Sequence, residues 1–120
     1  KPLPLSVPPD STVYEFIHNL AIGQQIKTAP VVDGNEYLGL CTVAHCADIH
    51  RDLWNETRVT EVMDANAPVG APHWYVRDAM VAMQKGGYDT LAIMTSDGVF
   101  LGIVSAEDIV RLEEIIEVTN

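Results

Sequence analysis

The sequence predicts a mixed α/β fold of the α+β kind. One β-α-β-β-α unit occurs twice, the copies related by a pseudo-twofold with their sheets packed together. Three observations predict it. First, the apolar residues Val13, Phe16, Ile17 and Leu20 recur 63 positions later as Val76, Ala79, Met80 and Met83. Their i, i+3, i+4, i+7 spacing is one face of an amphipathic helix. Second, the same offset carries Pro9 to Pro72, Gly23 to Gly86, Leu38 to Leu101, Gly39 to Gly102 and Thr42 to Ser105. Third, it carries Cys46, Ile49 and Leu53 to Ile109, Leu112 and Ile116, the apolar stripe of a second helix.

Each copy is expected to open with a short extended piece, at residues 5–7 and 67–70. A helix follows, at 12–22 and 75–85. Thr12 with Glu15 three residues on is a capping-box signal for the first, and Gly23 and Gly86 are expected to end the two helices. Two strands come next, 28–32 with 37–41 and 90–95 with 100–104. Their turns, Asp33-Gly34-Asn35 and Ser96-Asp97-Gly98, are hairpin signals. The first hairpin is one residue shorter, and one extra residue before Thr28 compensates. A last helix starts after Thr42 and after Ser105. The expected organisation is residues 1–53 for an N-terminally truncated first copy, 54–64 for a linker with a helical turn near 60–63, and 65–120 for the second copy. A unit of about 50 residues buries too little surface to stand alone. Two copies sharing a core create two equivalent clefts, the place to look for a ligand.

Composition narrows the function. The chain carries 17 acidic and 7 basic side chains, a formal charge of −10. That field repels a phosphate backbone and excludes a nucleic-acid polymer as partner, while local geometry still admits one small nucleotide. Apolar runs are broken by charge or glycine well short of the roughly 18 residues a membrane span needs. Two cysteines, Cys41 and Cys46, are too few for a disulfide scaffold and point to a reducing, cytoplasmic setting. A start at Lys1, without methionine or signal peptide, reads as a piece of something longer.

Three segments carry a family likeness: Thr60-Glu61-Val62-Met63; Gly102-Ile103-Val104-Ser105-Ala106-Glu107-Asp108-Ile109; and Pro30-Val31-Val32-Asp33 followed by Gly39-Leu40-Cys41-Thr42. In this order and duplicated, they resemble a tandem pair of cystathionine-β-synthase (CBS) motifs, a Bateman module. The resemblance implies a regulatory unit and not an enzyme, binding AMP, ADP, ATP or S-adenosylmethionine between its motifs and modulating an attached protein. It also implies a homodimer, and apolar residues beyond one stripe of the first helices, Tyr14 and Ala82, agree with that.

Ser105 stands where strand turns into helix and Asp108 three residues on. One reading is a capping box, with Asp in place of Glu. The other, which the resemblance favours, is ribose recognition, because a carboxylate accepts from two adjacent hydroxyls and a helix start favours a phosphate. In the first copy Thr42 falls opposite Ser105 and His45 opposite Asp108. A neutral imidazole has one acceptor, so this site, with Lys27, reads as degenerate, and His45 alternatively as a solvated helix residue. Thr90, Leu91 and Ala92 line the pocket if the resemblance holds, with main-chain groups toward the adenine. Asp89 in place of Lys27 argues for a ligand with few charges. Cys41, His45, Cys46 and His50 are zinc-ligand types, but Cys46 on an apolar stripe reads as a buried free thiol, and no metal is expected.

No nucleophile with a neighbouring base appears, so no enzyme is expected. The competing reading is a ligand-free dimerisation or docking module. The run Trp54 to Met63 is similar to linkers in modules attached to site-2-type intramembrane metalloproteases, and chloride-channel-type transporters carry similar pairs. This implies attachment at the cytoplasmic face of a membrane protein.

Overall fold

The structure is a computed structural model, and it describes residues 6–110. The chain divides between Ala67 and Pro68 into two compact units, each with its own sheet and helices.

In the first unit, the side chain of Thr12 accepts from the N–H of Glu15 at 3.1 Å, and the Glu15 carboxylate accepts from the N–H of Thr12 at 2.8 Å. This reciprocal cap starts helix α1, Val13–Glu15, which continues as a π-helix over Phe16–Ile22. Apolar spacing predicts the helix but not its widening. The two forms differ by one residue in hydrogen-bond offset, seen where Gly23 N–H reaches His18 O at 3.2 Å. Gly23 itself stays in the right-handed region, and the chain turns out at Gln25, φ 57°.

Strands β1 (Thr28–Asp33) and β2 (Glu36–Thr42) pair antiparallel across a turn at Gly34, φ +62°. Val31 pairs with Gly39 and Val32 with Tyr37, so Leu38 is the extra residue of a bulge. Val7 joins β1 in parallel, its N–H to Pro30 O at 2.9 Å and its O from Val32 N–H at 3.0 Å. Residue 5 of the expected first strand lies outside the described residues. The core gathers Val13, Phe16, Val31, Cys41, Cys46 and Val59.

Helix α2 spans only Val43–Ala47. The expected stripe from Cys46 through Ile49 to Leu53 fails here, and Leu53 is 49% exposed. The Trp54 indole donates to Ile49 O at 3.0 Å, taking the carbonyl a continuing helix would offer to Leu53. Leu53 N–H turns instead to His50 O at 2.9 Å, closing a 3₁₀ turn over Arg51–Leu53. Residues 54–64 then pack into this unit. Helix α3 (Val59–Val62) buries Val59 fully, and Asp64 exchanges both backbone hydrogen bonds with Leu40, at 2.8 and 3.1 Å.

In the second unit, β3 (Val69–Gly70) runs parallel to β4 (Thr90–Met94), which pairs antiparallel with β5 (Phe100–Ser105). Ile93 pairs with Gly102 and Met94 with Phe100, leaving Leu101 in the same bulge that Leu38 occupies. Thr42 follows its partner Thr28 by 14 positions and Ser105 follows Thr90 by 15, the expected one-residue difference. Helix α4 is Val76–Gly86, with the Asp78 carboxylate accepting from Tyr75 N–H at 3.0 Å. Gly86 is its last residue, and the left-handed cap that follows is Gly87, φ 74°. Gly86 is small for another reason: a Cβ there would lie 2.8 Å from the Pro68 ring. The residues from 106 to 110 are helical (α5), and Ile109 packs with Ala79, Met83 and Leu91. Leu112 and Ile116 of the expected stripe lie outside the described residues. Among the described residues no helix is long and apolar enough to cross a membrane.

Candidate ligand site

The end of β5 feeds directly into α5, and the start of β4 lies beside that junction. Thr90 pairs with Ser105 across the ladder. One residue earlier, Asp89 O accepts from Ala106 N–H at 2.9 Å, stitching the strand's entry to the first residue of the helix. Ser105 Oγ accepts from Asp108 N–H at 3.0 Å, so the hydroxyl caps α5. Asp89, Thr90, Ser105 and Asp108, scattered over 20 positions of sequence, therefore meet at one strand–helix junction.

The first unit repeats the construction. Thr28 pairs with Thr42, Lys27 O accepts from Val43 N–H at 2.9 Å, and Thr42 Oγ1 accepts from His45 N–H at 3.0 Å. The structural equivalence of Thr42 with Ser105, His45 with Asp108 and Lys27 with Asp89 matches the sequence alignment of the copies.

Exposure separates the groups by task. Lys27, Asp89 and Asp108 are exposed, while Thr42, His45 and Ser105 are half-buried. Thr90 is 6% exposed, its hydroxyl donating to Asp89 Oδ1 at 3.2 Å. Leu91 and Ala92 are fully buried, and the Leu91 side chain belongs to the unit's own core beside Met83. A capping hydroxyl still has its own proton to donate, so Ser105 can cap α5 and donate to a phosphate or sugar oxygen together. The Asp108 carboxylate can accept from two hydroxyls; the imidazole at His45 cannot. Capping by Ser105 therefore does not preclude recognition at this junction.

Cys41 and Cys46 are free, buried thiols with sulfurs 4.0 Å apart. His50 lies beyond the end of α2, exposed, with Nδ1 3.6 Å from Asp52 Oδ2. Among the described residues no three His, Cys, Asp or Glu side chains gather as a metal site would require. Sequence spacing gave no sign of two cavities. One, of about 500 Å³ in the first unit, lies under the stacked rings of Tyr14 and His18, 4.1 Å apart, beside Arg51 and Trp54. The other, of about 440 Å³ in the second, is lined by Gly70, His73, Trp74 and Met94. Both join residues from separate elements.

A twice-occurring sheet-and-helix unit, with a hydroxyl-capped helix leaving its hairpin, defines an internally duplicated α+β module. More particularly, residues 59–114 match the family model of the CBS domain, whose proteins are regulatory. Solved structures extend the likeness over most of the chain. A protein with CBS domains from Burkholderia ambifaria MC40-6 is 26% identical, with 88% of this chain and 79% of that one covered and a TM-score of 0.75. CBSX2, solved in complex with AMP, is 18% identical over 94% of this chain and 89% of its own, at a TM-score of 0.82. The CBS domain of a bacterial CNNM/CorC family Mg²⁺ transporter is 11% identical over 89% and 66%, at 0.74. No curated protein matches the chain in sequence.

Proposed function

We propose that the second unit binds an adenosine-containing nucleotide at Ser105 and Asp108, and that occupancy regulates a larger protein to which this chain is attached. The observation that carries this is the convergence of Asp89, Thr90, Ser105 and Asp108 on one strand–helix junction, with an exposed carboxylate beside a helix start. Asp108 accepts the two ribose hydroxyls, and the Ser105 hydroxyl donates to the phosphate. Asp89, where the first unit has Lys27, repels a polyphosphate, so AMP or an adenosyl compound such as S-adenosylmethionine fits better than ADP or ATP. A solved relative in fold that holds AMP supports the ligand class, and one from a transporter supports attachment. The module acts from the cytoplasmic side and as a homodimer, a reading supported by exposed Tyr14 and Ile22 on the first helix. The parent is a membrane protein of the protease or transporter kind, on the likeness of the run Trp54 to Met63.

Titration calorimetry with AMP, ATP and S-adenosylmethionine tests this. The expected result is one ligand per chain, and Tm should rise with ligand concentration because binding stabilises the native state. Two equivalent sites per chain would overturn the assignment to the second unit. The second reading, a ligand-free docking module, is favoured by His45 in place of an acidic residue in the first unit. Absence of heat with every adenosine compound would establish it.

A further inference from the structure

The two thiols of the first unit have no counterpart in the second. Adding 63 carries Cys41 to Val104 and Cys46 to Ile109, so both equivalent positions are aliphatic there. In the first unit Cys41 is the penultimate residue of β2 and Cys46 the fourth of α2, and the Thr42–His45 cap lies between them. Both side chains are fully buried, and their sulfurs face each other at 4.0 Å. A disulfide needs an approach from 4.0 Å to about 2.05 Å, within reach of side-chain rotation.

We propose that Cys41 and Cys46 are a reversible dithiol–disulfide pair, a two-electron redox site in the first unit whose oxidant is a peroxide. The nucleophile is Cys46. It is carried by the short helix α2, whereas Cys41 is held in strand β2. Either sulfur can donate in their contact, and with Cys41 S–H as donor the Cys46 thiolate is favoured against the opposing effect of burial. Cys41 is pushed up by giving that bond and by burial, so it holds its proton until Cys46 has reacted. Cys46 thiolate attacks one oxygen of hydrogen peroxide, the O–O bond breaks, and the released hydroxide takes up a proton to leave as water. Cys41 then loses its proton and displaces hydroxide from the Cys46 sulfenic acid, forming the S–S bond and a second water. Two thiols and one peroxide become one disulfide and two waters, the two electrons passing from sulfur to the O–O bond. Peroxide gains entry by local opening of α2, a helix of five residues in which Ala44 and Ala47 are exposed, as is Asp48 just past its end. The product ties β2 to α2 across the Thr42–His45 cap. A thiol reductant reverses it.

Trypsin isolates the pair. Cleavage after Lys27 and Arg51 gives a peptide of residues 28–51 holding both cysteines and no methionine, so methionine oxidation cannot obscure its mass. The full chain is treated with hydrogen peroxide, alkylated under denaturing conditions with iodoacetamide, digested and weighed. The expected peptide lacks two hydrogens and carries no alkyl group, and dithiothreitol before alkylation restores two. A peptide that still takes two alkyl groups, or gains oxygen on sulfur without losing two hydrogens, overturns the proposal. With Cys41→Ser, dimedone should trap a sulfenic acid on Cys46, while Cys46→Ser should yield no adduct. An adduct on Cys41 in the latter overturns the assigned order of attack.

Discussion

The side-chain oxygen of Ser105 accepts a hydrogen bond from the backbone N–H of Asp108 at 3.0 Å, as Thr42 does from His45 in the first unit. This bond is made by the amide of Asp108 and caps α5. Ser105→Ala should therefore lower stability by about 1 kcal/mol, the usual cost of losing a cap, read from denaturant unfolding. A change below about 0.3 kcal/mol would mean that the cap contributes nothing here.

Asp108→Ala keeps the N–H that Ser105 accepts. If the ribose hydroxyls are held by this carboxylate, affinity for AMP should fall by about 1.5–3 kcal/mol, as for hydrogen bonds to a charged group. His45→Ala should leave affinity nearly unchanged. Calorimetry on the two variants decides it, and loss of binding on changing His45 alone would move the site to the first unit.

Gly39 faces the backbone of the segment after α3. A Cβ there would stand 2.6 Å from Asp64 O and 3.0 Å from the Ala65 Cα, atoms that cannot rotate away. Gly39→Ala should cost about 1–3 kcal/mol by overpacking and weaken the Leu40–Asp64 pairing. Gly34→Ala meets no atom within 4 Å, and its cost, from φ +62° alone, should stay at about 1–2 kcal/mol. Equal and negligible effects of the two variants in urea unfolding would contradict this account.

Phe16 is 1% exposed and sits at the start of the π-helical stretch, in the same core as Val13, Val31 and Val59. Phe16→Ala should lose about 3–5 kcal/mol, enough to unfold a marginal domain. The matching change at Ala79 has almost no side chain to remove, so Ala79→Gly should act mainly through helix propensity, at about 1 kcal/mol. Chemical denaturation of both variants checks the asymmetry.

Burial, aided by the negative charge of Asp64, pushes the Tyr37 hydroxyl up to about 12 from an ordinary value near 10. The folded state thus holds this proton more tightly than the unfolded chain. The stability it contributes is complete below about pH 10 and is lost as pH rises toward about 12. In a 295 nm titration of the folded chain, the step that Tyr37→Phe removes should lie well above pH 10, toward about 12. Tyr37→Phe should flatten the fall of stability across that window. A Tyr37 that titrates near pH 10 would refute its buried setting.

What the sequence determined by itself is the local grammar, repeated twice. The apolar spacing from Val13 to Leu20 and from Val76 to Met83 set two helices, because residues three and four apart share a helix face. Thr12 and Glu15 set a cap, since both partners lie within one turn. The one-residue difference between the hairpins was legible from counting alone, and so was the correspondence of Thr42 and His45 with Ser105 and Asp108. The tertiary structure decided what depends on atoms far apart in the chain or on a choice between equal local options. Trp54 takes the carbonyl of Ile49 and stops α2 at Ala47, although the stripe through Leu53 would allow it to continue. Residues 54–64 become part of the first unit because Val59 finds a buried place there and Asp64 pairs with Leu40. Gly87 rather than Gly86 takes the left-handed turn, because Gly86 must leave room for Pro68. The junction of Asp89 with Ala106, and the two sulfurs 4.0 Å apart, exist only once strand and helix have met. Periodicity records which face a residue takes, whereas packing and hydrogen-bond competition choose its neighbour.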